Sequence, residues 1–349
     1  MKKNITIYDI SKALGLSASS VSRALKDHPR ISIKTKELVK KKAKELGYKP
    51  NQIAASLRTG ASSIVGVIIP TIHHNFFSKV ISGLEEVLAQ NNLATIITQS
   101  HESLDKEKAN LDVLLNTHVL GVIASISKQT QNLDHFKRLL NRNIPVIIFD
   151  RTTKNPITNS VVVDDFTGAY KATEHLIQNG YKRIAHFTVS FNLHIYQERM
   201  RGYRSALEDH GMAFDPDLVL EVNSDIEQGK MAAQKLIRLP DPPDAIFSSS
   251  DYSALGAMQF LKEKGIEVPG EFGIVGFSNE TFTEHVTPSI TTVDQKPLLM
   301  GKEIGLTFLG LIKREGDPFN PIIKKLVIEP DLLVRESSAR KKNESPKKH

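Results

Sequence analysis

The sequence predicts an α/β protein, with a small N-terminal helix-turn-helix head ahead of a two-lobed body built on parallel sheets. Three observations carry this expectation. The first 60 residues hold short, capped helical patterns and no strand-like run. From Ile64 onward, short β-branched runs alternate with longer helical periodicity, the pattern of parallel strands covered on both faces. That alternation lasts for about 270 of the 349 residues, more than one modest sheet accommodates, so two lobes are expected.

The head reads as three helices. Thr6 and Asp9 form a capping-box pattern ahead of Ile7–Leu14, with Ile7, Ile10 and Leu14 on one face, and Gly15 breaks the helix. Ser17 caps Ala18–Leu25, where Val21, Ala24 and Leu25 face inward. Pro29 marks a loop. Ser32 caps a third helix that runs to Leu46 and stops at Gly47, with Leu38, Val39, Ala43 and Leu46 as its apolar stripe. The body's strand-like runs are Ile64–Pro70, Leu93–Thr98, Val119–Ala124, Pro145–Asp150, Val161–Asp164, Arg183–Val189, Ala245–Ser250 and Gly273–Ser278. Helical stretches between them include Phe76–Asn91, Leu104–Asn116, Phe166–Asn179, Glu198–His210 and Ser253–Lys264. The expected domains are a head over 1–50, a hinge segment over 51–61, a body over 62–339 and a disordered basic tail over 340–349.

Charge is unevenly distributed. Residues 1–60 hold 14 Lys and Arg against 4 Asp and Glu, residues 335–349 hold 6 against 2, and residues 61–334 hold 26 against 33. A basic head on a mildly acidic body points to a polyanionic partner for the head, although a solvated basic face gives the same tally. The absence of cysteine excludes disulfides, thiolate metal sites and a cysteine nucleophile. No apolar run approaches the roughly 18 residues of a membrane span. Met1-Lys2-Lys3-Asn4-Ile5-Thr6 has no apolar stretch behind its lysines, so a cytoplasmic protein without a membrane role is expected.

Two short helices joined by a turn at Gly15, then a third, make a helix-turn-helix unit, whose second helix would enter the major groove of double-stranded DNA. Its first turn is Ala18, Ser19 and Ser20, and Arg23 lies one turn on, within reach of guanine or phosphate. Asn51–Arg58 is too short for a stable isolated helix. Leu57 beside Arg58 suits a minor-groove wedge with a phosphate anchor, or a connecting turn packed on the head.

The run Ile5-Thr6-Ile7-Tyr8-Asp9-Ile10-Ser11-Lys12-Ala13-Leu14-Gly15-Leu16-Ser17, continuing into Ser20-Val21-Ser22-Arg23-Ala24-Leu25, resembles the head signature of the LacI/GalR family of bacterial transcriptional regulators. Ile31-Ser32, Lys34-Thr35 and Gly47-Tyr48-Lys49-Pro50-Asn51 with Ala54 and Leu57 keep the register, and the likeness extends to Arg335-Glu336-Ser337-Ser338. The resemblance implies a homodimer on a palindromic operator. Ala18, Ser19 and Arg23 would read bases and Leu57 would pry open the central step. Ser32, Lys34, Thr35, Tyr48 and Asn51 would hold backbone, with Thr6, Ser17 and Ser22 as further phosphate contacts or caps.

It also implies a body resembling periplasmic sugar-binding proteins, with a small-molecule effector, a carbohydrate in most relatives, held between the lobes. Phe76 and Phe77 match ligand-stacking aromatics, or belong to the core of their helix. Arg199 matches an arginine that reaches ligand oxygens, or pairs with a carboxylate. Phe247 and Asp251 flank a strand end, where Asp251 could equally cap its helix. Asp165, beside Asp164, ends another strand. Ser278 and Asn279 follow a third, and Ser278 stands where many members carry Asp. His73 and His74 face the crevice mouth or solvent, and no third ligand at fitting spacing makes them a metal site. No phosphate loop, nucleophile elbow, HExxH helix or dinucleotide fingerprint is present. No cofactor, metal or enzymatic activity is therefore expected. The expected function is ligand-responsive transcriptional repression. Its rivals are control by a protein corepressor, a binding protein, and an enzyme fused to a DNA-binding head. Residues 337–349 hold no leucine and include Pro346, so a C-terminal leucine-heptad tetramer is not expected.

Overall fold

The computed structural model describes residues 5–48, 63–153, 156–189, 193–313 and 323–340. Asn51, Leu57, the rest of the expected hinge and residues 341–349 lie outside the described residues. The chain divides into two units, Met1–Ser62 and Ser63–His349.

In the first unit, helices α1 (Ile7–Leu14), α2 (Ala18–Leu25) and α3 (Ile33–Leu46) pack around Ile10, Val21, Ala24, Val39 and Ala43. Each boundary has a local cause. The Asp9 carboxylate accepts from the Thr6 N–H at 2.8 Å, Ser17 Oγ accepts from the Ser20 N–H at 3.1 Å, and Ser32 Oγ accepts from the Thr35 N–H at 3.3 Å. Gly15 and Gly47 take the left-handed conformation that closes α1 and α3. Leu38, assigned to the buried stripe of the third helix, is instead 50% exposed, and Val39, Ala43 and Leu46 are the helix residues that reach the core.

The second unit holds two six-stranded sheets. The first lobe contains β1 (Ile64–Ile69), β2 (Ala94–Gln99), β3 (Gly121–Ala124), β4 (Val146–Phe149), β5 (Asn159–Val163) and β11 (Lys325–Ile328). Their order is β11-β5-β4-β3-β1-β2, and every pairing is parallel. The second lobe contains β6 (Ile184–Thr188), β7 (Val219–Glu221), β8 (Ala245–Ser248), β9 (Gly273–Phe277), β10 (Thr291–Asp294) and β12 (Asp331–Leu333), ordered β12-β10-β9-β8-β6-β7, with β12 antiparallel to β10. Central strands such as β3, β4, β8 and β9 are buried at every position, which is why they read as continuous apolar runs.

Helices α4 (Asn75–Gln90), α5 (Leu104–Asn116), α6 (Asp134–Leu140) and α11 (Pro297–Ile312) cover the first sheet. Helices α7 (Asp165–Gln178), α8 (His194–Asp209), α9 (Ile226–Leu236) and α10 (Asp251–Glu263) cover the second. The chain passes between lobes after β5, after β10 and between β11 and β12. Helices α4 and α11 cross so closely that a Cβ on Gly301 would sit 2.0 Å from the Val80 carbonyl oxygen, so only glycine fits there. In both sheets the strand order reverses beside the first strand, between β1 and β3 and between β6 and β8. A doubly wound sheet opens a crevice at such a point, beyond the carboxyl ends of its strands.

Candidate functional site

The head presents a polar face. Thr6, Ser17, Ser19, Arg23, Ser32 and Lys34 are exposed, while Ala18, Ser22, Thr35 and Tyr48 are partly buried. Ala18 and Ser19 form the first turn of α2, and Arg23 lies one turn further along it. Tyr48 packs against the head core. The Thr6, Ser17 and Ser32 hydroxyls sit at helix caps, and the Ser17 and Ser32 hydroxyls each accept an N–H. Lys40 is drawn to Asp27 at 2.7 Å.

In the body, the carboxyl ends of β4, β8, β9 and β10 converge on a crevice between the lobes. From the first lobe come His74, Phe76, Phe77, Asp150 and Arg151; from the second come Tyr196, Arg199, Ser249, Asp251, Ser278, Glu280 and Gln295. The two Phe rings meet edge to face at 5.1 Å, and both belong to the first-lobe core as well as to the crevice wall.

Two buried arginines organise the chemistry. Arg199, on α8, donates from Nε to Asp165 at 2.8 Å and from Nη1 to the Ser249 carbonyl at 3.0 Å, and its guanidinium lies 3.6 Å from the Phe277 ring centroid. Burial raises the Asp165 carboxyl even though Arg199 pulls it down. Arg151, just past β4, forks onto Glu102 at 2.8 and 3.0 Å. Its Nε and the Ser249 hydroxyl are buried without a hydrogen-bond partner among the described residues. Burial pushes Asp150 up to about 6, with Arg151 opposing, and Asp150 holds a left-handed φ of 59°. Buried polar groups with donors and acceptors to spare could bond a polar ligand entering the crevice.

The remaining expected contacts divide. Asp251 lines the crevice but is fully buried. It accepts from the Thr292 hydroxyl at 2.6 Å and the Glu280 N–H at 2.8 Å, and burial pushes it up to about 6. Ser278 lines the crevice at φ 120°. Asp165 lies behind Arg199, in an adjoining cleft with His194, Glu198 and Lys325. Asp164 caps α7 through the Thr167 N–H.

Two expected contacts lie outside the crevice lining. Phe247 is fully buried and stacks on His186 at 4.8 Å, because it precedes the end of β8 and therefore packs in the second-lobe core. Asn279 turns away at φ 51°, and its side chain bonds Arg335 at 3.0 Å and Asp294 at 3.3 Å. Asp150, Arg151, Tyr196, Ser249, Glu280 and Gln295 line the crevice without having been named as contacts. Asp150 ended one strand run already recognised and Ser249 stood next to the end of another, so a rule of taking every polar residue at a strand end would have found them.

His186 lies in that core between Phe247 and Tyr203 and gives Nδ1–H to the Phe247 carbonyl. Burial holds its pKa down at about 4. An unfolded imidazole titrates near 6.5, so the stability that His186 contributes is present above that value and is lost as pH falls from about 6.5 through about 4. His186→Phe is expected to flatten the fall in melting temperature across that interval. An unchanged slope would mean that the imidazole protonates freely in the folded body.

The family models agree with this architecture. The model for bacterial regulatory proteins of the lacI family matches residues 6–51, and the model for periplasmic binding proteins and the sugar binding domain of the LacI family matches residues 62–324. The HTH-type transcriptional regulator DegA of Bacillus subtilis is 30% identical over 335 residues, 96% of this chain and 98% of that protein. The HTH-type transcriptional repressor PurR of Mannheimia succiniciproducens is 26% identical over 95% of this chain and 98% of its own length. A solved complex of the transcriptional regulator CelR with cellobiose matches at a TM-score of 0.71 and 28% identity, over 96% of this chain and all 100% of that one. A lac repressor dimer bound to operator and the anti-inducer ONPF shares the fold at a TM-score of 0.86 and 22% identity, over 96% and 99% of the two chains. No helix among the described residues is long and apolar enough to cross a membrane. The chain belongs to the LacI family of bacterial regulatory proteins, DNA-binding regulators of transcription.

Proposed function

We propose that this chain is a cytoplasmic repressor that binds a palindromic operator as a homodimer, its DNA affinity set by a small polar effector held between the lobes, a carbohydrate or carbohydrate derivative. The observation that carries the reading is the crevice, where two buried arginines and several carboxyl groups from both lobes meet at the strand ends. Hydroxyl-rich ligands match such alternating donors and acceptors, and the related CelR was solved with cellobiose. The effector changes DNA affinity only through its differential affinity for the lobe arrangements.

The proposed domain scheme keeps 1–50 as the DNA reader, 51–61 as a hinge that orders on the operator, and 62–339 as sensor and dimerisation body. Ala18, Ser19 and Arg23 read bases, and Thr6, Ser17, Ser22, Ser32, Lys34, Thr35, Tyr48 and Asn51 hold backbone. Leu57 is the central wedge. Leu57→Ala is expected to weaken operator binding by a few kcal/mol, about the cost of an unstacked step. Unchanged affinity for the operator removes the wedge assignment.

The test of the whole reading starts by selecting an operator from random duplexes with the full chain. Sugars, sugar phosphates, uronic acids and nucleobases are then screened for a rise in the protein's melting temperature, and each hit for a change in operator affinity. A hit that does both supports the proposal. A chain that selects a palindrome but answers to no small molecule loses the effector half of it.

A further inference from the structure

We propose that Glu102 makes the crevice select uncharged, hydroxyl-bearing ligands over anionic ones by neutralising Arg151, a role that rests on the crevice being the effector site. Two guanidiniums line the crevice, and each is already paired. Arg199 is held by Asp165 at 2.8 Å, and Arg151 Nη1 donates to both Glu102 carboxylate oxygens, at 2.8 and 3.0 Å. Glu102 itself stands outside the crevice lining. His101 and Glu102, just past β2, both take left-handed φ values, 49° and 61°, which residues other than glycine adopt rarely. The Glu102 carboxylate also accepts the Lys128 N–H at 2.9 Å, so the loop after β3 fixes it from a second side. Burial raises the Glu102 carboxyl, yet Arg151 and the Lys128 N–H bring it below its ordinary range, so it is charged at neutral pH.

What Arg151 has left to offer the crevice is Nε. It is buried without a hydrogen-bond partner among the described residues, and an Asp150 oxygen lies 3.8 Å away. A ligand hydroxyl can bridge the two, accepting from Nε–H and donating its own proton to Asp150. A carboxylate or a phosphate dianion has no proton to give and meets the Asp150 charge instead. Asp251 and Glu280 add two further carboxyl groups to the wall. His74, whose pKa is lowered by burial and by Arg151, adds no positive charge at neutral pH. Lys128 acts on Glu102 and Lys79 on Glu280, and neither lines the crevice.

Inorganic phosphate is the probe, added to the full chain at constant ionic strength and at about pH 8, where phosphate is a dianion and Asp150 is ionised. Phosphate also meets the basic head, so only binding that Arg151→Gln abolishes is counted. Wild type is expected to show none. Glu102→Gln combined with Asp150→Asn frees the guanidinium from both carboxyl groups. This double variant is expected to gain Arg151-dependent phosphate binding, about tenfold tighter than Asp150→Asn alone. Arg151-dependent binding in wild type would overturn the role of Glu102, as would equal affinities in the double variant and Asp150→Asn. A second test needs no variant to fold: each neutral sugar is compared with its phosphate and its uronic acid by the rise in wild-type melting temperature. The neutral member of each set is expected to bind about tenfold more tightly, and a charged member that binds more tightly than its neutral counterpart would overturn the selection. A chain that answers to no sugar ends the effector reading and leaves the phosphate comparison standing.

Discussion

Replacing Arg199 by Met is expected to destabilise the body by about 3–5 kcal/mol at neutral pH, the cost of leaving a buried carboxylate without its cation. Arg199 is 3% exposed and Asp165 is 5% exposed, so water cannot replace the lost 2.8 Å bond. Methionine keeps an apolar stem beside Phe277 and isolates the electrostatic loss from a cavity. Asp165→Asn in the same chain removes the stranded charge, and the double variant is expected to be more stable than the sum of the single losses predicts. Denaturant unfolding of the four proteins measures the cycle, and strict additivity would show that the pair contributes nothing beyond its separate parts. The single variant is also expected to lose effector binding, because Arg199 forms part of the crevice wall and holds the Ser249 carbonyl at 3.0 Å.

The head was readable in the sequence because its signals are local. Thr6, Ser17 and Ser32 cap the helices that follow them, and Gly15 and Gly47 end helices, without help from distant residues. The central strands were equally plain, being buried on both faces. What escaped were elements whose pattern is set by position in the fold. Strands β11 and β12 lie at sheet edges with mixed exposure, so neither alternation nor an apolar run marks them. Helix α11 is apolar nearly all round, with Leu298, Leu299 and Leu306 exposed, which hides its period. The same burial hid that Phe247 sits inside the core rather than at the crevice wall. In a strand buried at every position, sequence cannot say which residue is the last one in the core and which is the first beyond it. Arg199, Asp251 and Ser278 were legible through the family resemblance and their positions at strand ends. Their division into crevice wall and internal support was not, because it depends on partners such as Thr292 and Asp165 that lie far away in the chain. Asn279 depends on a tertiary partner in the same way, its direction being fixed by Arg335 and a left-handed backbone.

Operator binding is expected to fall steeply with salt, by roughly 10³–10⁵ between about 50 and 200 mM if a dimer makes 6–10 phosphate contacts. The basis is the division of charge: the first 60 residues carry 14 Lys and Arg against 4 Asp and Glu, whereas residues 61–334 carry 26 against 33. The head carries the larger excess of cations, and residues 63–340, without the basic tail, are expected to show no measurable affinity for duplexes. Individual side chains then separate by their slopes. Lys34 is exposed near the start of α3, beside the Ser32 cap, and is proposed as a backbone contact. Lys34→Ala should weaken operator and random duplex alike and reduce the slope by about one per head, or two per dimer. Arg23 lies a turn into α2 and is proposed as a base reader. Arg23→Ala should cost about 1–3 kcal/mol on the operator, with a smaller loss on random DNA, so that the ratio of the two affinities falls. Titrations by fluorescence anisotropy at several salt concentrations distinguish the two. If both variants shift slope and specificity identically, the division of the head into a reading helix and a backbone-holding helix is wrong. A slope near zero for the wild-type chain would mean that the basic face is solvated and that DNA is held by other means.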